Sequence, residues 1–77
     1  MKSREEYLEY LIRIQIEYCK DWDHIPVGNL LDSNIARRAG GSFANHKQGF
    51  EPATFKELKP VAKRLIAEAM LLEVLED

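Results

Sequence analysis

Only one cysteine, Cys19, occurs among the 77 residues, so no intramolecular disulfide can staple the fold. A lone thiol fits a reducing compartment. No apolar run approaches the ~20 residues that span a bilayer. The charged opening MKSREEY leads straight into a helical pattern, so neither a membrane span nor a cleaved leader is expected. The expected address is the cytoplasm. Basic charge is not in excess: eleven Lys and Arg stand against thirteen Asp and Glu, a formal net charge of −2. That balance argues against a strongly basic nucleic-acid-binding surface. No C-x-x-C or H-x-x-x-H pair accompanies Cys19, Asp21, Asp23 and His24, so these read as a helix end and a solvated acidic turn, not a metal site. Nucleophile-elbow, phosphate-loop and metallohydrolase spellings are also missing, and no enzyme activity, cofactor or metal is expected.

What is present is the profile of one globular domain over 1–77, with 45% hydrophobic and 31% charged residues. Three parts are legible, without repeats or low-complexity tracts. The first, about 3–20, opens on Ser3 with Glu6 three residues later, a capping box. Tyr7, Leu11, Ile14 and Tyr18 recur at helical spacing beside Leu8, Ile12 and Ile16, giving a broad apolar face. The middle part, from Asp21 to Pro52, holds every glycine. Within it Asp32 or Ser33 is placed to cap a short helix through Ala39, closed by Gly40 in a left-handed cap. Leu30, Leu31 and Ile35 are its expected core contacts. The following SFANHKQGF reads equally as a helix begun at Ser42 or as a loop.

The third part begins at Thr54, whose partner Glu57 completes a second capping box. Proline is costly inside a helix and welcome in its first turn, so the spacing predicts a turn over 55–58 and a main helix over 60–75. The expected fold is therefore all-α, two long amphipathic helices with a short helical and loop insert between them. The surplus apolar surface makes a homodimer an expected partner state.

The stretch IARRAGGSF, from Ile35 to Phe43, sits in the only net-positive third of the chain, where Arg37, Arg38 and Lys47 face a single acid, Asp32. Ala36 stands four residues before Gly40, and Ser42 follows as a capping residue. From Ile35 to Phe50 the text resembles the helix-turn-helix of the tetracycline-repressor and lactose-repressor families. The resemblance implies DNA binding and transcriptional regulation, with Ser42, Phe43, Ala44, Asn45, Lys47 and Gln48 facing the major groove. It makes Asn45 and Gln48 candidate adenine readers, with Arg37, Arg38 and Lys47 on phosphates. Gly41, His46 and Gly49 depart from the family's pattern, Gly41 and His46 where it carries apolar residues and Gly49 within the second helix. The alternative is a protein-binding module of the phage or plasmid accessory type, inhibiting or adapting a larger partner. Tyr7, Tyr10, Tyr18 and Trp22 are aromatic types favoured at interfaces. Trp22 itself reads first as a core anchor or helix stop.

Overall fold

The computed structural model describes residues 3–41 and 50–76 of the chain. Among them are three α-helices and no strand: α1 (Arg4–Asp21), α2 (Asp32–Gly40) and α3 (Phe55–Glu76), with a short 3₁₀ turn at Val27–Asn29. The domain is all-α, as the periodicities require. No helix among the described residues is long and apolar enough to cross a membrane.

Helix α1 starts where the capping box places it, with Ser3 Oγ accepting from the Glu6 N–H at 3.1 Å. Its buried face is Tyr7, Leu8, Leu11, Ile12, Ile16 and Cys19. Ile14 and Tyr18 share the helical spacing but lie outside that face. The helix ends at Trp22, and the chain turns through His24, whose φ of 55° is the left-handed conformation. The turn is closed by the Ile25 N–H donating to the Cys19 carbonyl at 2.9 Å.

Helix α2 begins without a side-chain cap, because Leu31 occupies the cap position and the Asp32 carboxylate accepts from the next N–H, that of Ser33, at 2.9 Å. Ile35, Ala36 and Ala39 are buried. Leu30 is half-buried against the core, whereas Leu31 is exposed, which corrects its expected core role.

The expected break before Pro60 does not occur. Helix α3 is continuous from Phe55, with Pro60 inside it. The capping box explains why the earlier start prevails. Thr54 Oγ1 accepts from the Glu57 N–H at 3.2 Å, and Glu57 Oε2 accepts from the Thr54 N–H at 2.9 Å. Pro60 and Lys56, whose carbonyl loses its usual helical donor, both lie on the exposed side, so water can serve that carbonyl.

The buried side chains form one core. Leu58, Val61, Ala62, Leu65 and Ile66 of α3 meet the buried faces of α1 and α2. Helix α2 packs chiefly on the first half of α3, and from Met70 to Leu75 every α3 side chain is exposed. Helices α1 and α3 run side by side in the same direction. Arg4 Nε meets Glu57 Oε1 at 2.6 Å near their starts, and Arg64 Nη2 reaches Glu5 and Glu9 at 3.1 and 2.6 Å further along.

Glu57 therefore ties the start of α3 both to its own cap and to α1. The Arg4 guanidinium, helped by the Thr54 N–H, holds its carboxyl down at about 2 from an ordinary 4.5. A lowered folded-state value means that this stabilisation is complete above about 4.5 and is lost as pH falls towards about 2. The pair is partly solvated, so Glu57→Gln is expected to cost about 1 kcal/mol at neutral pH. Melting curves of both proteins across the acid range should converge below that window. A constant gap at all pH values would contradict the assignment.

Candidate functional site

Of the residues placed at a DNA interface by sequence, Arg37 and Arg38 lie among the described residues. Ser42, Phe43, Ala44, Asn45, Lys47 and Gln48 lie outside them. Arg37 and Arg38 are exposed on α2, and with Asn34 they line a shallow open surface. Asn34 carries no signal in the sequence beyond its helical spacing from Arg37 and Arg38.

The two arginines are engaged by different elements. The Arg37 guanidinium lies over the Phe55 ring, 5.6 Å from its centroid. Arg38 faces the end of α1. Its Nη1 donates to Cys19 Sγ at 3.2 Å, stands 3.5 Å from Asp23 Oδ2, and its guanidinium lies 5.3 Å from the Tyr18 ring centroid. Cys19 is a buried thiol, as a helix-end cysteine is expected to be. Among the described residues no group of three or more His, Cys, Asp or Glu is disposed to hold a metal ion.

The turn after α2 differs from the one the spelling predicts. Gly40 is the last helical residue and does not adopt a left-handed φ, while Gly41 follows at φ −91°, ψ 4°. A methyl group at Gly40 would meet the Ala53 carbonyl at 3.6 Å and Leu58 Cδ1 at 3.7 Å, both ordinary contacts. Helical glycine is less stable than alanine, so Gly40→Ala is expected to stabilise the domain by about 0.5–1 kcal/mol. Urea unfolding gives the answer directly. A lowered midpoint would restore the left-handed glycine that a helix-turn-helix requires.

A second surface lies along α1. Tyr10, Ile14, Tyr18 and Trp22 recur every four residues and line one shallow hollow with Arg13, Glu17 and Asp21. Of the two readings of Trp22, the helix stop matches its place as the C-cap of α1, and the core anchor is overturned, because the residue is 74% exposed. It is held instead by Tyr18, with centroids 6.3 Å apart and planes 19° from parallel. The cause is the position of Trp22 at the C-cap of α1, beyond Cys19, the last buried residue of the helix. The four aromatic candidates thus divide. Tyr7 is fully buried and stacks on Phe50 at 4.6 Å, Tyr10 is half-buried, and Tyr18 and Trp22 face solvent. The period of four from Tyr10 to Trp22 was the available signal, obscured because Tyr18 also continues the Tyr7 stripe.

Tyr18, Trp22 and Arg38 meet where the end of α1 faces α2, with the two rings stacked, the Arg38 guanidinium over Tyr18 and the Asp23 carboxylate beside that cation. Such a surface can take up apolar area and accept or donate hydrogen bonds at its rim. It offers no aligned nucleophile and base. Comparison of the chain with protein-family models, with curated proteins and with solved structures finds no match.

Proposed function

We propose that this domain acts by binding a larger protein through the outer lane of α1, Tyr10, Ile14, Tyr18 and Trp22, with Arg38 at its edge. The observation that carries this reading is the exposed Tyr18–Trp22 stack, fixed by a helix and an overlying arginine. Large aromatics and arginine are the side chains that most often dominate binding energy. A surface ordered in advance also loses little freedom on association. An inhibitor or adaptor needs no more chemistry than this.

The test compares affinity capture by the wild-type domain with capture by Trp22→Ala and Tyr18→Ala variants of unchanged helical circular dichroism. The partner's affinity is expected to fall at least tenfold in each variant. Binding should also shield Trp22, the sole tryptophan, from an aqueous quencher. Undiminished capture by Trp22→Ala would reject the surface.

DNA binding is the second reading, favoured by the open α2 surface of Asn34, Arg37 and Arg38. It predicts a salt-sensitive gel mobility shift with mixed DNA fragments. That shift should be lost in an Arg37→Ala, Lys47→Ala double variant and kept in Trp22→Ala. Absence of a shift at micromolar protein in low salt would remove this reading.

A further inference from the structure

Helix α3 carries two apolar faces. One is in the core through Leu58, Ala62, Leu65 and Ile66. On the opposite side Ala67, Met70, Leu71 and Val74 follow the i, i+3, i+4, i+7 spacing of a helix-pairing seam. All four are exposed, Leu71 at 59% and Val74 at 71%. The same lane continues towards the start of α3 as Lys56, Lys59 and Lys63, also exposed. Its first half is therefore basic and its second half apolar. The last turn carries no basic residue, leaving the negative end of the helix dipole without a cation of its own.

We infer that the apolar half of this lane pairs with the same segment of a second copy, antiparallel about a two-fold axis between Met70 and Leu71. The charge pattern selects both occupant and direction. In an antiparallel pair each copy's Lys63 comes level with the end of the other's α3, just past its last turn, where a cation faces the negative end of the helix dipole twice. A parallel pair would set lysine beside lysine and one negative helix end beside the other. The seam is small beside the ~800 Å² per partner of a typical stable complex, so the dimer is expected to exchange readily with monomer. This face is opposite the core and distinct from the α1 lane, so the inference stands independently of the proposed function.

Sedimentation of the whole chain from micromolar to millimolar concentration should show a monomer–dimer equilibrium. Leu71→Lys should abolish it with helicity unchanged, because Leu71 takes no part in the core. Lys63→Glu, which leaves the apolar seam intact, should weaken it about tenfold through its two symmetric contacts. Direction is read by oxidative cross-linking. In the antiparallel pair residue 67 meets residue 74, so an Ala67→Cys protein mixed with a Val74→Cys protein should cross-link faster than Val74→Cys alone, whose thiols lie about 10 Å apart along the axis. A monomer at every concentration would overturn the inference, as would a dimer indifferent to both substitutions. Faster self-linking of Val74→Cys would overturn it too. Monomers that instead sediment with anionic vesicles, through Leu71, would assign the seam to a lipid surface.

Discussion

Tyr7→Ala should cost the domain about 3–5 kcal/mol, a large part of its stability. Tyr7 is fully buried at the start of α1, and its ring stacks 4.6 Å from that of Phe50. Truncating a buried aromatic removes its transfer energy and leaves a cavity, about 3–5 kcal/mol together. A domain of 77 residues has roughly 4–12 kcal/mol in total at the usual stability per residue. The variant should melt well below wild type, and at the low end of that range it should keep part of its far-ultraviolet helical signal while losing its sharp thermal transition. Tyr7→Phe keeps the ring and the stack, so its loss should be nearer 1 kcal/mol. A melting point within a few degrees of wild type for Tyr7→Ala would mean that the contact with Phe50 is not part of the core.

Leu58→Ala is the second large effect, expected at about 2–5 kcal/mol. Leu58 is fully buried in the first turns of α3, its N–H donates to the Thr54 carbonyl, and its side chain lies beside Gly40 at the end of α2. It therefore seats the start of α3 on α2. Leu71 provides the control: the same residue type on the same helix is exposed, and Leu71→Ala should change monomer stability by no more than about 0.5 kcal/mol. Because Gly40 adjoins the cavity that Leu58→Ala opens, Gly40→Ala should stabilise that variant more than it stabilises the wild type. Chemical denaturation of the four combinations measures the difference. Equal costs at positions 58 and 71 would contradict the packing.

Both capping boxes were legible because they are local: Ser3 with Glu6 and Thr54 with Glu57 each lie within one turn. Helix α2 was legible from its punctuation, Asp32 or Ser33 before it and Gly40 after it, while of its buried residues only Ile35 stood out as a core contact. Pro60 misled, since its cost had to be weighed against a cap six residues earlier and the solvent exposure of Lys56. Trp22 misled as a core anchor for a related reason: eleven residues after Leu11 it continues the buried side of α1, but it stands past Cys19, where the core ends. Gly40 was read as left-handed from spelling alone, whereas its φ depends on how the chain leaves α2. The link from Arg4 to Glu57 joins residues 53 apart, and no sequence period connects them. Of the candidate site, the residue types were named from sequence, but not the meeting of Arg38 with Tyr18, which requires α2 to lie against the end of α1.

The shared direction of α1 and α3 sets the order in which the chain acquires its shape. Two parallel helices cannot close as a hairpin, so their starts must be brought together from 53 residues apart. Bringing Leu58 to Gly40 closes a loop about a third as long, at roughly 1 kcal/mol less closure entropy. The meeting of Arg38 with Cys19 closes a loop of similar length, so α2 gathers both long helices by short closures. The contact of Arg4 with Glu57 is then expected to form last, once both helices are seated on α2.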